Sequence, residues 1–290
     1  MTPAWQFQHQ AMATTFQIVM VSDDKEEAQF AADAAFREID LIESELSRFR
    51  PGSDISRLNA AATGEEIYVG PGACDCLMLA RDVAQATGGA FDITIGPLFK
   101  LWREAGSRDF SDEAVAKALA CCGWQHLEIT PYGPNATKMV DGMHIDLGGI
   151  GKGYALDQAA ELLLDWDIED ALLSAGGSTV LAIGTAPDGS EGWPVQVGPP
   201  EEPPTLLTDG NAVSGTGFEV QGEHIIDPRT GRPCPMTDNS RPIIWAQAPN
   251  AALSDALSTA FMVMSRKETE ELCRKQKGII ARFFSDRSGD

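Results

Sequence analysis

Positive charge is scarce in this sequence. Its 22 lysines and arginines stand against 43 aspartates and glutamates, a formal net charge of -21. A surface that acidic repels nucleic-acid phosphates, and no basic stripe or RNA-type aromatic motif offsets it, so no nucleic-acid partner is expected. It also disfavours docking on anionic lipid. Long apolar runs are missing as well. No stretch approaches the roughly 20 residues needed to cross a bilayer, so no transmembrane segment is expected. The opening MTPAWQFQHQAMATTF has no basic n-region, no apolar h-region and no lipobox cysteine. As written it predicts a protein that stays in the cytoplasm, and a processed periplasmic form would read the same way. Cysteine is sparse, at Cys74, Cys76, Cys121, Cys122, Cys234 and Cys273, and no pair forms a CxxC. With only four scattered histidines, that argues against structural zinc and against a disulfide framework. The usage fits reduced thiols.

The chain does carry material for a large core. Hydrophobic residues make up 43% and charged residues 22% of 290 positions, enough for one domain over residues 1–290 built as two interleaved lobes. Phe16 to Val21 reads as an early strand. Phe36, Ile39, Ile42, Leu46 and Phe49 recur at spacings of three and four, which predicts a helix from Asp24 to Phe49 with those residues on one face. Pro51-Gly52 stops it. A second helix is predicted from Gly72 to Thr87, ended by Gly88-Gly89, and a short one opens after Ser111. Strands are expected near Leu127–Thr130 and Met139–Asp146, then a helix from the following glycine turn to about Trp166. Short strand-like runs come next, at Ala171–Ser174, Thr179–Ile183, Pro194–Val197, Ala212–Ser214, His224–Ile226 and Arg241–Gln247, parted by Gly, Pro and Asp. A helix from Leu253 to Met264, a charged helix and a last strand near Gly278–Phe284 close the chain. Runs of strands between helices argue α+β rather than a doubly wound parallel sheet.

Four segments carry candidate chemistry. Asp146-Leu147-Gly148-Gly149-Ile150-Gly151-Lys152-Gly153 lies between a strand and a helix. Backbone N–H groups and glycines there suit a phosphate, and the same composition also serves a packing turn. It is not a Walker A loop, because Gly153 follows Lys152, nor a dinucleotide fingerprint, because Tyr154 fills the last glycine slot. His224-Ile225-Ile226-Asp227-Pro228-Arg229-Thr230-Gly231 puts an imidazole at a strand end before an Asp-Pro turn. It reads either as a general base or as an exposed histidine beside a self-capping turn. Ser254-Asp255-Ala256-Leu257-Ser258-Thr259 places Asp255 and Thr259 on one helical face. That is a hard-cation pair, or else a helix capped by Ser254 with Asp255 in its first turn. Gly89-Ala90-Phe91-Asp92, with Leu101-Trp102 beyond, offers parts that grip a flat ring or an ordinary aromatic cluster.

Taken in this order, with LSRFRPGSDISRLN over Leu46–Asn59 and the Met12-Ala13-Thr14-Thr15-Phe16 entry, these segments resemble the FAD:protein FMN transferase (ApbE) family from Met12 to about Met264. The resemblance implies a T-fold-like α+β architecture, with mixed or antiparallel sheets and two lobes around an FAD cleft. It implies transfer of the FMN half of FAD to a Ser or Thr hydroxyl of an acceptor flavoprotein, with release of AMP and dependence on Mg²⁺. By position, Met12, Phe49, Ala90, Phe91, Asp92, Asp146, Lys152 and Ile226 would line the FAD site. The Gly149 carbonyl, Asp255 and Thr259 would hold Mg²⁺, and His224 would be the base. Phe49 stands where the family commonly has Tyr. Gly176-Gly177-Ser178 replaces Gly-Gly-Asp or Gly-Gly-Asn, and Ser214-Gly215-Thr216-Gly217 replaces Ser-Thr-Ser-Gly. The alternatives are an FAD-binding protein that does not transfer, an FAD pyrophosphatase that uses water as acceptor, and a maturation scaffold without catalysis.

Overall fold

The computed structural model describes residues 2–105, 110–130, 132–216, 225–234 and 242–285. The chain opens with an antiparallel hairpin, β1 (Ala4–Ala11) and β2 (Thr14–Val21), in which Ala11 pairs with Thr14. Met12 and Ala13 alone make the turn, and both have positive φ, 49° and 58°. Two left-handed residues match the strand twist, at a position usually held by Asn or Gly. The helix α1 (Lys25–Leu46) follows, started by the Asp24 carboxylate on the N–H groups of Glu26 and Glu27.

α1 ends three residues before the predicted Phe49. Ser47 is already extended, and its carbonyl accepts from Ser53 Oγ at 2.6 Å. That bond turns the chain away, so Phe49 leaves the buried stripe and stands 74% exposed. Then come α2 (Asp54–Ala60), β3 (Glu66–Tyr68), α3 (Pro71–Ala86), α4 (Gly96–Ala105), α5 (Asp112–Leu119), β4 (Leu127–Thr130) and β5 (Asn135–Lys138). The strand expected at Met139–Asp146 does not form. Its trace there is a single parallel bridge between His144 and Ile95. Ile145 instead gives both its backbone groups to the side-chain amide of Asn59.

The second half holds α6 (Gly151–Asp165), β6 (Ala171–Ala175), β7 (Thr179–Ile183), β8 (Trp193–Val195), β9 (Thr205–Leu207), β10 (Ala212–Thr216), β11 (Ile226–Asp227), β12 (Arg232–Pro233), β13 (Pro242–Ala248), α7 (Ala251–Val263), α8 (Arg266–Lys275) and β14 (Ile280–Ser285). Seven strands form one antiparallel sheet in the order β1-β2-β6-β7-β10-β13-β14. On one face α6 packs against both α1 and α7. The β8–β9 hairpin covers part of the other face with Trp193, Val195 and Leu207. The alternation along β7 shows the split: Leu181 joins the main core and Ala182 the second one. A three-stranded sheet, β3-β5-β4, packs with α2 and α3. These helices share the core of the large sheet, because Ile55, Leu58 and Leu77 pack in the same cluster as Phe16, Ile39 and Phe261. This is the mixed α+β arrangement the sequence predicts, with an antiparallel central sheet.

Candidate functional site

A cleft lies where the glycine turn, the first hairpin, the chain after α1 and helix α7 meet. It has two chambers, of about 650 and about 280 Å³, within the range of small-molecule sites. Met12, Lys152 and Asp255 line the larger one, and Ala90, Phe91, Asp92 and Ile226 the smaller. Phe49, Asp146, Gly149 and Thr259 border both. These residues come from segments far apart in the sequence, and the fold brings them to one cavity. His224 lies outside the described residues; the two residues after it, Ile225 and Ile226, form part of the smaller chamber.

The glycine turn is built by close approach. Asp146 Oδ1 accepts from the Gly148 N–H at 2.9 Å, and α6 then starts at Gly151 with no side-chain cap. A Cβ on Gly149 would lie 3.2 Å from the Phe91 ring and 3.3 Å from Thr259 Oγ1, so the turn rests directly on α7. One on Gly153 would lie 2.2 Å from the Ala251 carbonyl oxygen, which only glycine permits. The start of α7 is fastened from below. Asp157 on α6 accepts from the N–H groups of Ala251 at 2.7 Å and Ala252 at 2.8 Å, and Asn250 caps Leu253. Burial pushes the Asp157 carboxyl up to about 6, against those two hydrogen bonds.

Asn250, not Ser254, is therefore the cap of α7, and the alternative in which Ser254 caps the helix does not hold. Ser254 is buried and donates to the Ala246 carbonyl at 2.8 Å. Asp255 sits beyond the first turn, 5% exposed. Its Oδ2 is 3.3 Å from Lys152 Nζ and 3.3 Å from the Gly153 N–H. Lys152 Nζ also donates to the Gly148 carbonyl at 3.2 Å. A cation thus already stands on this carboxylate. Thr259 lies one helical turn further on, beside Gly149. One carboxylate, one hydroxyl and backbone carbonyls are hard oxygen donors. They fit a small divalent cation that completes its shell with phosphate and water. Among the described residues no group of three or more His, Cys, Asp or Glu could hold a metal. A softer, all-protein site is not built there.

In the smaller chamber Asp92 is buried and committed to its own loop. Its Oδ1 accepts from Thr94 N–H and Oγ1 at 2.8 and 2.7 Å, and Oδ2 from Trp124 N–H at 2.9 Å. Burial raises its pKa. The carboxylate is a wall group whose oxygens are already engaged. The Asp-Pro turn is clamped as well. Asp227 accepts from the Arg229 backbone at 2.8 Å, and Trp102 Nε1 donates to the Gly231 carbonyl at 2.9 Å. The Arg229 guanidinium pairs with Asp227 and reaches the Val263 carbonyl at 3.2 Å and Glu268 at 3.0 Å. The turn that follows His224 is tied to the end of α7.

Three groups at or behind the cleft escape a reading of the sequence. Arg48 sits between the chambers, its Nε 2.9 Å from Asp146 Oδ2 and its guanidinium 4.2 Å from the Phe49 ring centre. Thr216 borders both chambers and shares a 2.7 Å hydrogen bond with Ser258. Lys138 is buried and donates to the Asn59 carbonyl at 2.7 Å. Arg48 and Thr216 fall inside segments with motif character. Lys138 has no sequence signal, because nothing in an isolated strand residue shows that it will be buried.

Comparison with known proteins covers nearly the whole chain. The model of the ApbE family matches residues 12–284. The FAD:protein FMN transferase of Klebsiella pneumoniae is 28% identical over 284 residues, covering 91% of this chain and 80% of that protein. The flavinyl transferase ApbE of Pseudomonas stutzeri, in its apo form, superposes with a TM-score of 0.85 at 27% identity, covering 99% of this chain and 92% of that one. The ApbE protein of Thermotoga maritima gives a TM-score of 0.82 at 28% identity, covering 98% and 95% of the two chains.

Proposed function

The chain belongs to the ApbE family, and from that premise we propose that it transfers the FMN half of FAD to a hydroxyl of an acceptor flavoprotein. The observation that carries this reading is the junction between the two chambers. There Gly149 packs against Thr259, next to the Lys152–Asp255 pair, where a pyrophosphate can lie with one nucleotide half in each chamber.

In this reaction the acceptor oxygen bonds to the phosphorus of the FMN half. The bond from that phosphorus to the AMP oxygen breaks, and AMP leaves. The acceptor is a Ser or Thr side chain, and its proton passes to His224, a step typically worth about 10²–10⁴-fold in rate. Gly149, Asp255 and Thr259 would hold Mg²⁺, which supplies charge neutralisation to the two phosphates. The chain's own contribution is placement. Gly153 and Asp157 fix the start of α7 against α6, and so set Asp255 relative to the glycine turn. The uncapped start of α6 and the Lys152 ammonium favour negative charge beside it.

The test is incubation with FAD, Mg²⁺ and candidate flavoprotein subunits. AMP release with in-gel flavin fluorescence of the acceptor is the expected result. Free FMN with AMP means hydrolysis, and no product at all means binding only; either outcome overturns the transferase reading.

A further inference from the structure

Among the described residues Arg48 is the one lysine or arginine that lines both chambers, and its surroundings leave most of it unused. Its Nε faces Asp146 Oδ2 at 2.9 Å, and its plane lies 4.2 Å from the centre of the Phe49 ring. Its two terminal nitrogens donate to no acceptor among the described residues. The side chain is 22% exposed and lines both chambers. An arginine pinned at one nitrogen and stacked on a ring is pre-oriented, and its free edge presents a fork of N–H groups. Asp146 fixes that orientation while it also holds the Gly148 N–H at 2.9 Å. The phosphate-suited turn and the guanidinium are thus set by the two oxygens of one carboxylate.

We propose that Arg48 is a substrate-reading residue of this chain, whose free guanidinium edge contacts the pyrophosphate of FAD at the junction of the chambers and thereby selects phosphorylated flavins. The inference rests on the FAD reading above. Phe49 has two jobs in it. It offers one face to a flat ring and stacks with Arg48, so that the residue near the flavin also orients the residue that reads the phosphates. A lysine at this position would supply charge without the fork.

The experiment compares FAD, FMN and riboflavin by fluorescence titration of the wild type, Arg48→Met and Arg48→Lys. Methionine keeps much of the stem that covers Phe49 and removes the fork. Arg48→Met is expected to weaken FAD at least about tenfold, the scale of a hydrogen bond to a charged group, and to leave riboflavin within about twofold of the wild type. Arg48→Lys should recover part of the loss. Equal weakening of riboflavin and FAD would mean that Arg48 only props Phe49, and would overturn the proposal. So would unchanged FAD affinity in Arg48→Met. In both cases wild-type FAD binding keeps the function reading intact. A wild type that binds no FAD removes both. A thermal melt of each variant shows whether the fold is kept; a variant that does not fold overturns the proposal too, because a reading residue is not required for folding.

Discussion

The side-chain amide of Asn59 makes both bonds of a strand-like pairing with Ile145: Nδ2 donates to the Ile145 carbonyl at 2.9 Å, and Oδ1 accepts its N–H at 2.7 Å. Ile145 is fully buried, so these backbone groups have no water to turn to. The next residue is Asp146, whose carboxylate holds both Arg48 and the glycine turn. Asn59 therefore supports the cleft without lining it. Asn59→Ala should cost about 2–4 kcal/mol, the price of two unsatisfied backbone groups, and should weaken FAD binding because Asp146 is no longer held. Urea denaturation and an FAD titration on the same variant check it. Unchanged stability would show that the pairing is replaceable by water.

The hairpin turn at the cleft edge invites the opposite change. Ala13 sits at φ 58°, a conformation that costs an L-residue roughly 1–2 kcal/mol and glycine almost nothing. Glycine loses part of that gain through its freer unfolded chain. Ala13→Gly should stabilise the protein by up to about 1 kcal/mol and leave FAD affinity unchanged. A lower denaturation midpoint would mean that the turn relaxes in solution.

His144, paired with Ile95 and two residues before Asp146, gives the fold a pH dependence. Burial lowers its pKa and the Arg48 charge lowers it further, while Asp146 acts against both. Its folded value lies below the unfolded one of about 6.5. Between the two, the unfolded chain binds the extra proton, so stability falls as pH drops through that window. His144→Gln should reduce the loss of stability between about pH 7 and pH 5. NMR titration of the His144 ring in Arg48→Met should move its pKa upward. No movement would show that the guanidinium is too well screened to act on it.

Much of this was legible in the sequence, where local pattern and tertiary role agree. The helices α1, α3, α6 and α7 bury periodic apolar faces, and the signals at Ser111 and Gly88-Gly89 are local chemistry. β1 is missed although Gln6, Gln8 and Gln10 alternate with Trp5, Phe7 and His9 at the strand period; as an edge strand it buries only Phe7 and Ala11, so it lacks the apolar run that marks β2. The end of α1 is set by a hydrogen bond from Ser53, six residues beyond the Ser47 carbonyl that accepts it, so spacing alone carried the helix on to Phe49. The segment before the glycine turn has strand composition, yet Ile145 gives its backbone bonds to the Asn59 side chain, 86 positions away, and only His144 and Asp146 bond the backbone of the Ile93–Gly96 loop. The motif residues among the described ones border one cleft. Arg48 lies inside a motif segment, but its pairing with Asp146 joins positions distant in sequence and has no local signal, and the burial of Lys138 has none either.

Gly153 joins fold to site. A Cβ there would lie 2.2 Å from the Ala251 oxygen and 2.5 Å from its carbonyl carbon, both backbone atoms that no rotamer change can move. Gly153→Ala should push α7 off α6 and cost about 3 kcal/mol, the upper end for overpacking. It should also lower transfer more than stability alone explains, because Asp255 travels with α7. AMP release measured well below the variant's melting temperature tests this; normal rates there would show that the helix pair adjusts without moving Asp255.

Asp255 is the strictest test of the metal assignment. Its carboxylate is nearly buried and touches Lys152 and the Gly153 N–H, so a purely structural role is a serious alternative. Asp255→Asn separates the two. The amide keeps the volume and one acceptor oxygen, and Lys152 still has the Gly148 carbonyl, so the fold should survive with a loss of about 1–3 kcal/mol. What the variant lacks is the negative charge that holds a divalent cation. AMP release should fall by roughly 10²-fold or more, in line with removal of a major electrostatic element, and raising Mg²⁺ should restore only part of it. A readout independent of turnover is the thermal shift on adding Mg²⁺ with FAD, expected in the wild type and absent in Asp255→Asn. If the variant melts early yet keeps both the Mg²⁺ shift and the wild-type dependence of rate on Mg²⁺, then Asp255 serves only to anchor Lys152 and the start of α6, and the cation is held by other oxygens.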